Sequence, residues 1–157
     1  MLGLDNFYEL FATQEGVPGV LIACFLASFK PIGEKFGIPG VDEASNCAAS
    51  LLQRVAPDGA LVGYLSWLTG AVFLPYGTWD QAHEFVRRLH GAASDDDLEL
   101  AGGDWAEIRF AVGAADVRGD EPHGRDAIET AARQAERDQR RYPAEWSYPV
   151  VLLDERS

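Results

Sequence analysis

The sequence is poor in cysteine and in positive charge. Its 157 residues include 2 Cys, and 13 Lys and Arg stand against 25 Asp and Glu, so the formal net charge is −12. No Cys-x-x-Cys motif or Cys/His cluster occurs, which argues against a disulfide framework and a zinc centre; Cys24 and Cys47 are expected to be small buried side chains. A strongly acidic surface repels phosphate backbones and anionic lipids, so neither nucleic acid nor a membrane is an expected partner.

The sequence also lacks a long apolar run and a basic leader. The longest apolar run, 17–29, contains Pro18 and is too short to span a bilayer. The N-terminal residues carry no basic segment of the kind that opens a signal peptide. We therefore expect a cytoplasmic protein. Because 47% of the residues are apolar and no low-complexity linker interrupts them, we predict one globular domain, 1–157.

Hydrophobic periodicity predicts strands that alternate with helices. Helices are expected at 4–13, 31–36, 41–55, 78–89 and 125–141, and strands at 20–27, 60–68, 71–75, 108–117 and 148–153. The strands at 60–68 and 71–75 should form an antiparallel hairpin around Thr69 and Gly70, with its turn within 66–70, and the helix from Thr78 should turn Trp79 inward. The acidic stretch 94–99 is expected to be a loop or the start of a short strand. This order predicts an α/β or α+β fold with a central mixed sheet flanked by helices.

One segment, 25–53, carries an ordered set of motif residues. Phe29, Lys30, Gly37 and Asp42 occur at the spacing of the pattern D-x-D-x-F-K-x-x-N-D-x-x-G-H-x-x-G-D. The segment therefore resembles the first strand and the first two helices of GGDEF domains, the diguanylate cyclase family. The stretch 1–6 resembles the entry motif of the same family, and 60–75, 108–115 and 127–141 resemble its later motifs, in the family's order. The resemblance covers nearly the whole chain and implies a sheet like that of the polymerase palm.

The residues that the family uses for chemistry are replaced. Phe25 and Ala27 stand at the two strand carboxylates that would face Mg²⁺, and Gly33 and Glu34 stand at the Asn–Asp pair. The five positions of the hairpin signature become Ser66, Trp67, Leu68, Thr69 and Gly70. Hard cations need several oxygen ligands, and phosphoryl transfer depends on metal ions and positioned charge. We therefore expect no metal, no cofactor and no cyclase activity.

The resemblance with these replacements predicts an inactive domain of a bacterial cyclic di-GMP pathway. We expect a signalling or adaptor domain that acts through protein–protein contact, with the identity of the partner and homodimer formation left open. The alternative is a sensor that binds GTP or cyclic di-GMP without turnover. Only Lys30 and Asp42 support that alternative, and Asp42 is also explained as an acidic residue near a helix N-terminus. The family's product-inhibition motif would fall at 57–60, where Pro57 and Ala60 cannot supply its charged side chains.

Four aromatic residues near the hairpin are candidates for a contact surface. Exposed aromatic side chains often mark protein interfaces. We expect some of Tyr64, Trp67, Tyr76 and Trp79 to be core residues and the others to form an apolar patch. At least one large side chain around Trp67 is expected to face the surface where the resemblance places guanine and to fill or cover that place; whether Trp67 itself is a contact residue or a core residue stays open.

Overall fold

The computed structural model describes Met1 and residues 3–95, 97–100, 103–119 and 125–152 of the protein. This part of the chain contains seven strands and four α-helices. They are β1 (Asp5–Asn6), α1 (Phe7–Ala12), β2 (Gly19–Leu26), α2 (Phe29–Val55), β3 (Leu61–Ser66), β4 (Thr69–Pro75), α3 (Trp79–Asp95), β5 (Leu98–Glu99), β6 (Trp105–Ala106), β7 (Phe110–Val117) and α4 (Arg125–Asp138).

A five-stranded mixed sheet organises the domain. Its order is β1-β3-β4-β2-β7, with β1 parallel to β3 and the remaining neighbours antiparallel. The apolar run that predicts a central strand forms β2, which is buried on both faces because α2 and α3 cover one side and α1 and α4 cover the other. The α+β class with a helix-covered mixed sheet is confirmed.

Helix α2 contains the break that its glycine predicts. Gly37 adopts φ +71° and ψ −170°, a conformation that residues with a Cβ rarely reach, and Pro39 follows two residues later. The two predicted helices, 31–36 and 41–55, correspond to the two sides of this break. The first one begins earlier than predicted, at Phe29.

The N-terminal helix is shorter than the predicted 4–13. Asp5 and Asn6 form a strand that pairs with Gly63 and Tyr64 of β3, and the Asn6 side chain then accepts the backbone N–H of Tyr8 at 2.9 Å. This cap fixes the start of α1 at Phe7. The prediction missed the strand because the pairing partner lies far away in the sequence.

The predicted antiparallel hairpin forms and turns at Trp67 and Leu68, which lie within the predicted turn 66–70; the narrower position at Thr69 and Gly70 is wrong. Ser66 pairs with Thr69 across the hairpin, and Gly70 pairs with Cys24 inside the sheet. A Cβ on Gly70 would lie 2.3 Å from Cδ1 of Leu52. The glycine therefore serves close packing under α2 rather than a turn conformation.

The predicted orientation of Trp79 is also wrong. Thr78 caps α3 as expected, since its hydroxyl accepts the N–H of Gln81 while the Gln81 side chain accepts the N–H of Thr78. Trp79 nevertheless stays 42% exposed because it lies in the first turn, and the buried face begins at Ala82. The helix also continues past 89, to Asp95.

The last predicted strand, 148–153, does not form in the described part, 148–152; Leu153 lies outside the described residues. Side chains from α4 and from the segment after it already form hydrogen bonds with backbone groups on the outer edge of β7. Asp138 accepts the N–H of Val112, Gln134 accepts the N–H of Ala114, and the Tyr142 hydroxyl donates to the carbonyl of Phe110. These three bonds occupy backbone groups that a further strand at this edge would need for pairing.

The remaining boundaries differ by a few residues. Within the acidic stretch 94–99, the first two residues end α3 and the last two form β5, which pairs with β6 in a small two-stranded ribbon; Asp96 lies outside the described residues. Strand β7 begins two residues after the predicted start, and α4 ends at Asp138 in a 3₁₀ turn, Gln139–Arg141. Within the described residues, no helix is both long enough and apolar enough to cross a membrane.

Candidate functional site

Helix α2 and the β3–β4 turn meet at one hydrogen bond. The indole Nε1 of Trp67 donates to Oδ1 of Asp42 at 3.0 Å. Trp67 is at the tip of the hairpin, and Asp42 lies five residues after the break at Gly37. The indole is 46% exposed, so the bond fixes the orientation of the ring without burying it.

The backbone of the same turn is held by two further donors. The carbonyl oxygen of Trp67 accepts the Ser45 hydroxyl and the Met1 amino group, each at 2.8 Å. Burial lowers the pKa of the Met1 amino group, and the nearby Asp42 carboxylate partly offsets this effect. Trp67 therefore holds the turn by three hydrogen bonds, two to α2 and one to the Met1 amino group.

A surface cavity of about 460 Å³ lies beside Trp67. It is lined by the first part of α2, by the break and by the segment after α4; the lining includes Phe29, Lys30, Glu34, Ile38, Trp67 and Glu145. The wall combines two aromatic rings and aliphatic side chains with two carboxylates and one ammonium. Its size is sufficient for a small ligand or for the side chain of a partner protein.

Lys30 is engaged by the segment that follows α4. Its Nζ donates to the carbonyl of Ser147 at 2.8 Å and lies 5.4 Å from the centre of the Tyr148 ring. Gln139, which is buried, donates to the carbonyl of Tyr148 and accepts its N–H, and this pair fixes the segment. The ammonium therefore already has two partners within the chain.

The positions that the resemblance assigns to metal carboxylates are apolar and buried. Phe25 and Ala27 are 2% and 1% exposed. The Phe25 ring packs edge-on against Phe29, which in turn packs edge-on against Tyr148, with centroid distances of 5.7 and 5.1 Å. The described residues contain no group of three or more His, Cys, Asp and Glu that could hold a metal ion.

The other signature residues belong to the interior. Ser66, Leu68, Thr69 and Gly70 are all buried. The Thr69 hydroxyl is unusual because it is buried and has no hydrogen-bond partner. None of these four side chains supplies a carboxylate, and Trp67 alone among the five signature residues reaches the surface.

The four aromatic candidates do not form one patch. Tyr64 packs partly buried against the core, whereas Trp67, Tyr76 and Trp79 are exposed. Trp67 precedes β4 and Tyr76 follows it, so the seven residues of the strand separate them by roughly 20 Å or more. The expectation that Trp67, Tyr76 and Trp79 surround a single site is corrected: the first is at one end of the hairpin and the other two are at the opposite end.

A second cavity, of about 510 Å³, includes the segment 57–60 in its wall. Its lining combines apolar side chains with Asp58, Asp80 and Arg88. The two positions at which the resemblance would place charged motif residues are Pro57 and Ala60, and neither carries a charge.

Sequence reasoning missed the contacts that define the site. It singled out Asp42, Trp67 and Lys30 separately, and the structure joins the first two and ties the third to Ser147. The roles of Ser45 and Gln139 were not anticipated, because each side chain bonds a backbone group that only the tertiary fold brings near. No local pattern in a single sequence contains this information.

Comparison with known proteins identifies the fold. No protein-family model and no curated protein matches the sequence. Among solved structures, the FimX GGDEF domain from Pseudomonas aeruginosa is 19% identical with a TM-score of 0.74, over 87% of this chain and 85% of that one. The GGDEF domain of YfiN from the same organism is 15% identical with a TM-score of 0.78, over 90% and 94%.

A third similar structure is that of a complex. The diguanylate cyclase SiaD from Pseudomonas aeruginosa, solved with its activator SiaC, is 17% identical with a TM-score of 0.79, over 88% of this chain and 56% of that one. At these identities the comparisons concern the fold. The chain has the mixed-sheet fold of GGDEF domains.

Proposed function

We propose that this chain, which has the fold of GGDEF domains, is a catalytically inactive signalling or adaptor domain that acts in the cytoplasm through contact with a partner protein. The observation that carries the proposal is the bond from Trp67 to Asp42. A carboxylate that would face a ligand is engaged by the chain's own indole, and this indole is the exposed residue of the hairpin tip.

The buried apolar residues at the metal positions support the absence of catalysis. A divalent cation requires oxygen ligands, and Phe25 and Ala27 offer none where the resemblance expects two carboxylates. Phosphoryl transfer without metal ions would lose most of its charge stabilisation. The structure of SiaD with its activator supports a protein partner, because it shows that a protein containing this fold forms such a complex.

The test of inactivity is direct. Purified protein is incubated with GTP and Mg²⁺, and cyclic di-GMP is measured by chromatography beside an active cyclase. We expect no product above the background. Product formation that disappears in an Asp42→Ala or Glu34→Ala variant would contradict the proposal, because a contaminating enzyme would not respond to these substitutions.

The contact role is tested with a matched pair of variants. A partner captured by cross-linking in the native cell is purified, and its affinity is measured for the wild type, Trp67→Ala and Trp79→Ala. The two tryptophans are similarly exposed, at 46% and 42%, at opposite ends of the hairpin. We expect Trp67→Ala alone to weaken binding, by about 2 kcal/mol or more for an interface anchor.

A nucleotide sensor without turnover is the second candidate, and the cavity of about 460 Å³ beside Lys30 favours it. Against it, Lys30 already contacts Ser147 and Tyr148, and two carboxylates line the same wall. Calorimetry with GTP, GDP and cyclic di-GMP discriminates. Heat that saturates with one of these ligands, and that is lost in Lys30→Met, would establish the sensor.

A further inference from the structure

We propose that the cavity beside Trp67 receives an arginine side chain of the partner protein, which stacks on the indole and pairs with the carboxylates of Glu34 and Glu145. The inference rests on the proposed function, because it names the chemistry of the partner that an adaptor domain would contact. It is carried by the ring of Trp67, by the charges of the lining and by the apolar surface next to it.

The indole is presented in a fixed orientation. Its N–H is bound to Asp42, and the backbone of Trp67 is bound by Ser45 and Met1. A ring that is held before binding loses little conformational entropy when a ligand covers it. The ring faces of tryptophan attract cations, most often guanidinium groups.

The unpaired charges in the lining are negative. Glu34 and Glu145 line the cavity, and neither of them has an ion pair within the described residues. The one ammonium of the lining, that of Lys30, is directed to the Ser147 carbonyl and the Tyr148 ring. With a net charge of −12 on the whole chain, the surface steers cations toward the cavity and opposes phosphates.

The adjoining surface favours a protein over a small free cation. Ile38 is 68% exposed at the break of α2 and extends the wall of the cavity outward. An arginine stem covers such aliphatic surface while its planar head meets carboxylates in pairs, a geometry that an ammonium group lacks. Arginine and tryptophan are also the residues most enriched among the side chains that dominate binding energy.

The test uses a defined peptide and the indole signal of Trp67. The full-length protein, labelled with ¹⁵N, is titrated with acetyl-Gly-Leu-Arg-Gly-amide, and the Trp67 indole resonance is identified by its loss in Trp67→Phe. We expect a saturable shift of this resonance. The same peptide with neutral citrulline in place of arginine should bind about tenfold more weakly, or not at all.

Two double variants of equal charge separate a local site from general attraction. The double variant Glu34→Gln with Glu145→Gln should bind the arginine peptide about fivefold more weakly, or weaker still. Glu9→Gln with Asp58→Asn changes the net charge equally at residues outside this cavity and should leave the affinity unchanged.

Three results would overturn the inference. They are equal binding of the citrulline peptide, equal weakening by both double variants, and a saturable shift of the Trp67 resonance by GTP in place of the peptide. If the arginine peptide does not bind and no cyclic di-GMP is formed from GTP, only the proposed docking of an arginine side chain is rejected. Formation of cyclic di-GMP by the protein would reject the proposed function itself.

Discussion

Trp67 and Asp42 lie 25 residues apart in the sequence and are joined by a 3.0 Å hydrogen bond from the indole N–H to the carboxylate. The bond connects the tip of the hairpin to the helix that lines the neighbouring cavity. The group that binds the Asp42 carboxylate is thus a side chain of the same protein. The indole ring remains 46% exposed at this surface.

The strength of this contact is measurable by a double-mutant cycle. Trp67→Phe keeps a ring and removes the N–H, and Asp42→Ala removes the acceptor. We expect a coupling free energy of about 0.5–1.5 kcal/mol from urea unfolding of the wild type, both single variants and the double variant. A control cycle of Asp42→Ala with Trp79→Phe should give no coupling, and coupling of equal size in both cycles would contradict the assignment.

Removal of two buried hydroxyls, one in the hairpin and one that bonds to it from α2, should change the free energy of unfolding differently. Thr69 has no partner for its hydroxyl, so Thr69→Val should leave the free energy of unfolding unchanged or raise it. Ser45 donates to the Trp67 carbonyl while 1% exposed, so Ser45→Ala should lower the free energy of unfolding by about 1 kcal/mol. Chemical denaturation of both variants is the measurement. A loss on Thr69→Val as large as that on Ser45→Ala would reveal a hydrogen bond that the structure lacks.

The parts of the fold that follow from local pattern were predictable. The apolar run at 20–27 predicts a central strand, and the glycine at 37 predicts a break in a helix; both features are present. The prediction of Trp79 fails for a physical reason. Helical periodicity places it on the buried face, but the first turn of α3 begins before the region that the core covers.

The site depended on contacts between distant residues. The sequence marks Asp42 and Trp67 as unusual but contains no sign that one donates to the other. The failure at 148–152 has the same origin: the apolar residues there are typical of a strand, yet side chains of Gln134 and Asp138 already occupy the edge of β7. Such competition for backbone groups is decided by tertiary structure.

Close packing of α4 on the sheet depends on Gly113. A Cβ at this position would lie 2.0 Å from the carbonyl oxygen of Ala131 and 2.4 Å from the nitrogen of Ala135. Both atoms belong to the backbone and cannot rotate away, so Gly113→Ala should lower the free energy of unfolding by about 3 kcal/mol. The control is Gly91→Ala, a helical position with nothing within 4 Å of the new methyl group, which should stabilise the protein by about 0.5–1 kcal/mol. Thermal unfolding of the two variants should show shifts of opposite sign.

The lowered pKa of His90 should make the protein less stable in mild acid. Burial lowers the pKa of His90, the neighbouring Arg141 lowers it further, and Asp138 partly offsets both. Because the folded state then binds fewer protons than the unfolded state, the contribution of His90 is complete above an unfolded pKa of about 6.5 and is lost as the pH falls toward the folded value.

The measurement compares unfolding free energies at about pH 7.5 and about pH 5.5. Wild type should lose more stability between these values than His90→Gln, which cannot become charged. His83→Gln serves as the control because it removes a histidine from the same helix and retains His90. An equal pH dependence in wild type and His90→Gln would contradict the prediction.

Gln139 should control the segment that holds Lys30. Its side chain donates to the Tyr148 carbonyl at 2.6 Å and accepts the Tyr148 N–H at 2.7 Å, while only 2% of the residue is exposed. Gln139→Ala removes both bonds, so the segment around Tyr148 should open locally and Lys30 should lose its contacts with Ser147 and Tyr148. We expect amide hydrogen exchange of Tyr148 to accelerate by about tenfold or more, because an opening free energy reduced by 1.4 kcal/mol or more corresponds to that factor. The control is Gln53→Ala, which removes an exposed hydrogen bond to Gly3 and should leave the exchange rate of the Tyr148 amide unchanged.

If Tyr148 exchanges at the wild-type rate in Gln139→Ala, the segment is held by its ring contact with Phe29 instead, and Lys30 would keep its contacts without Gln139.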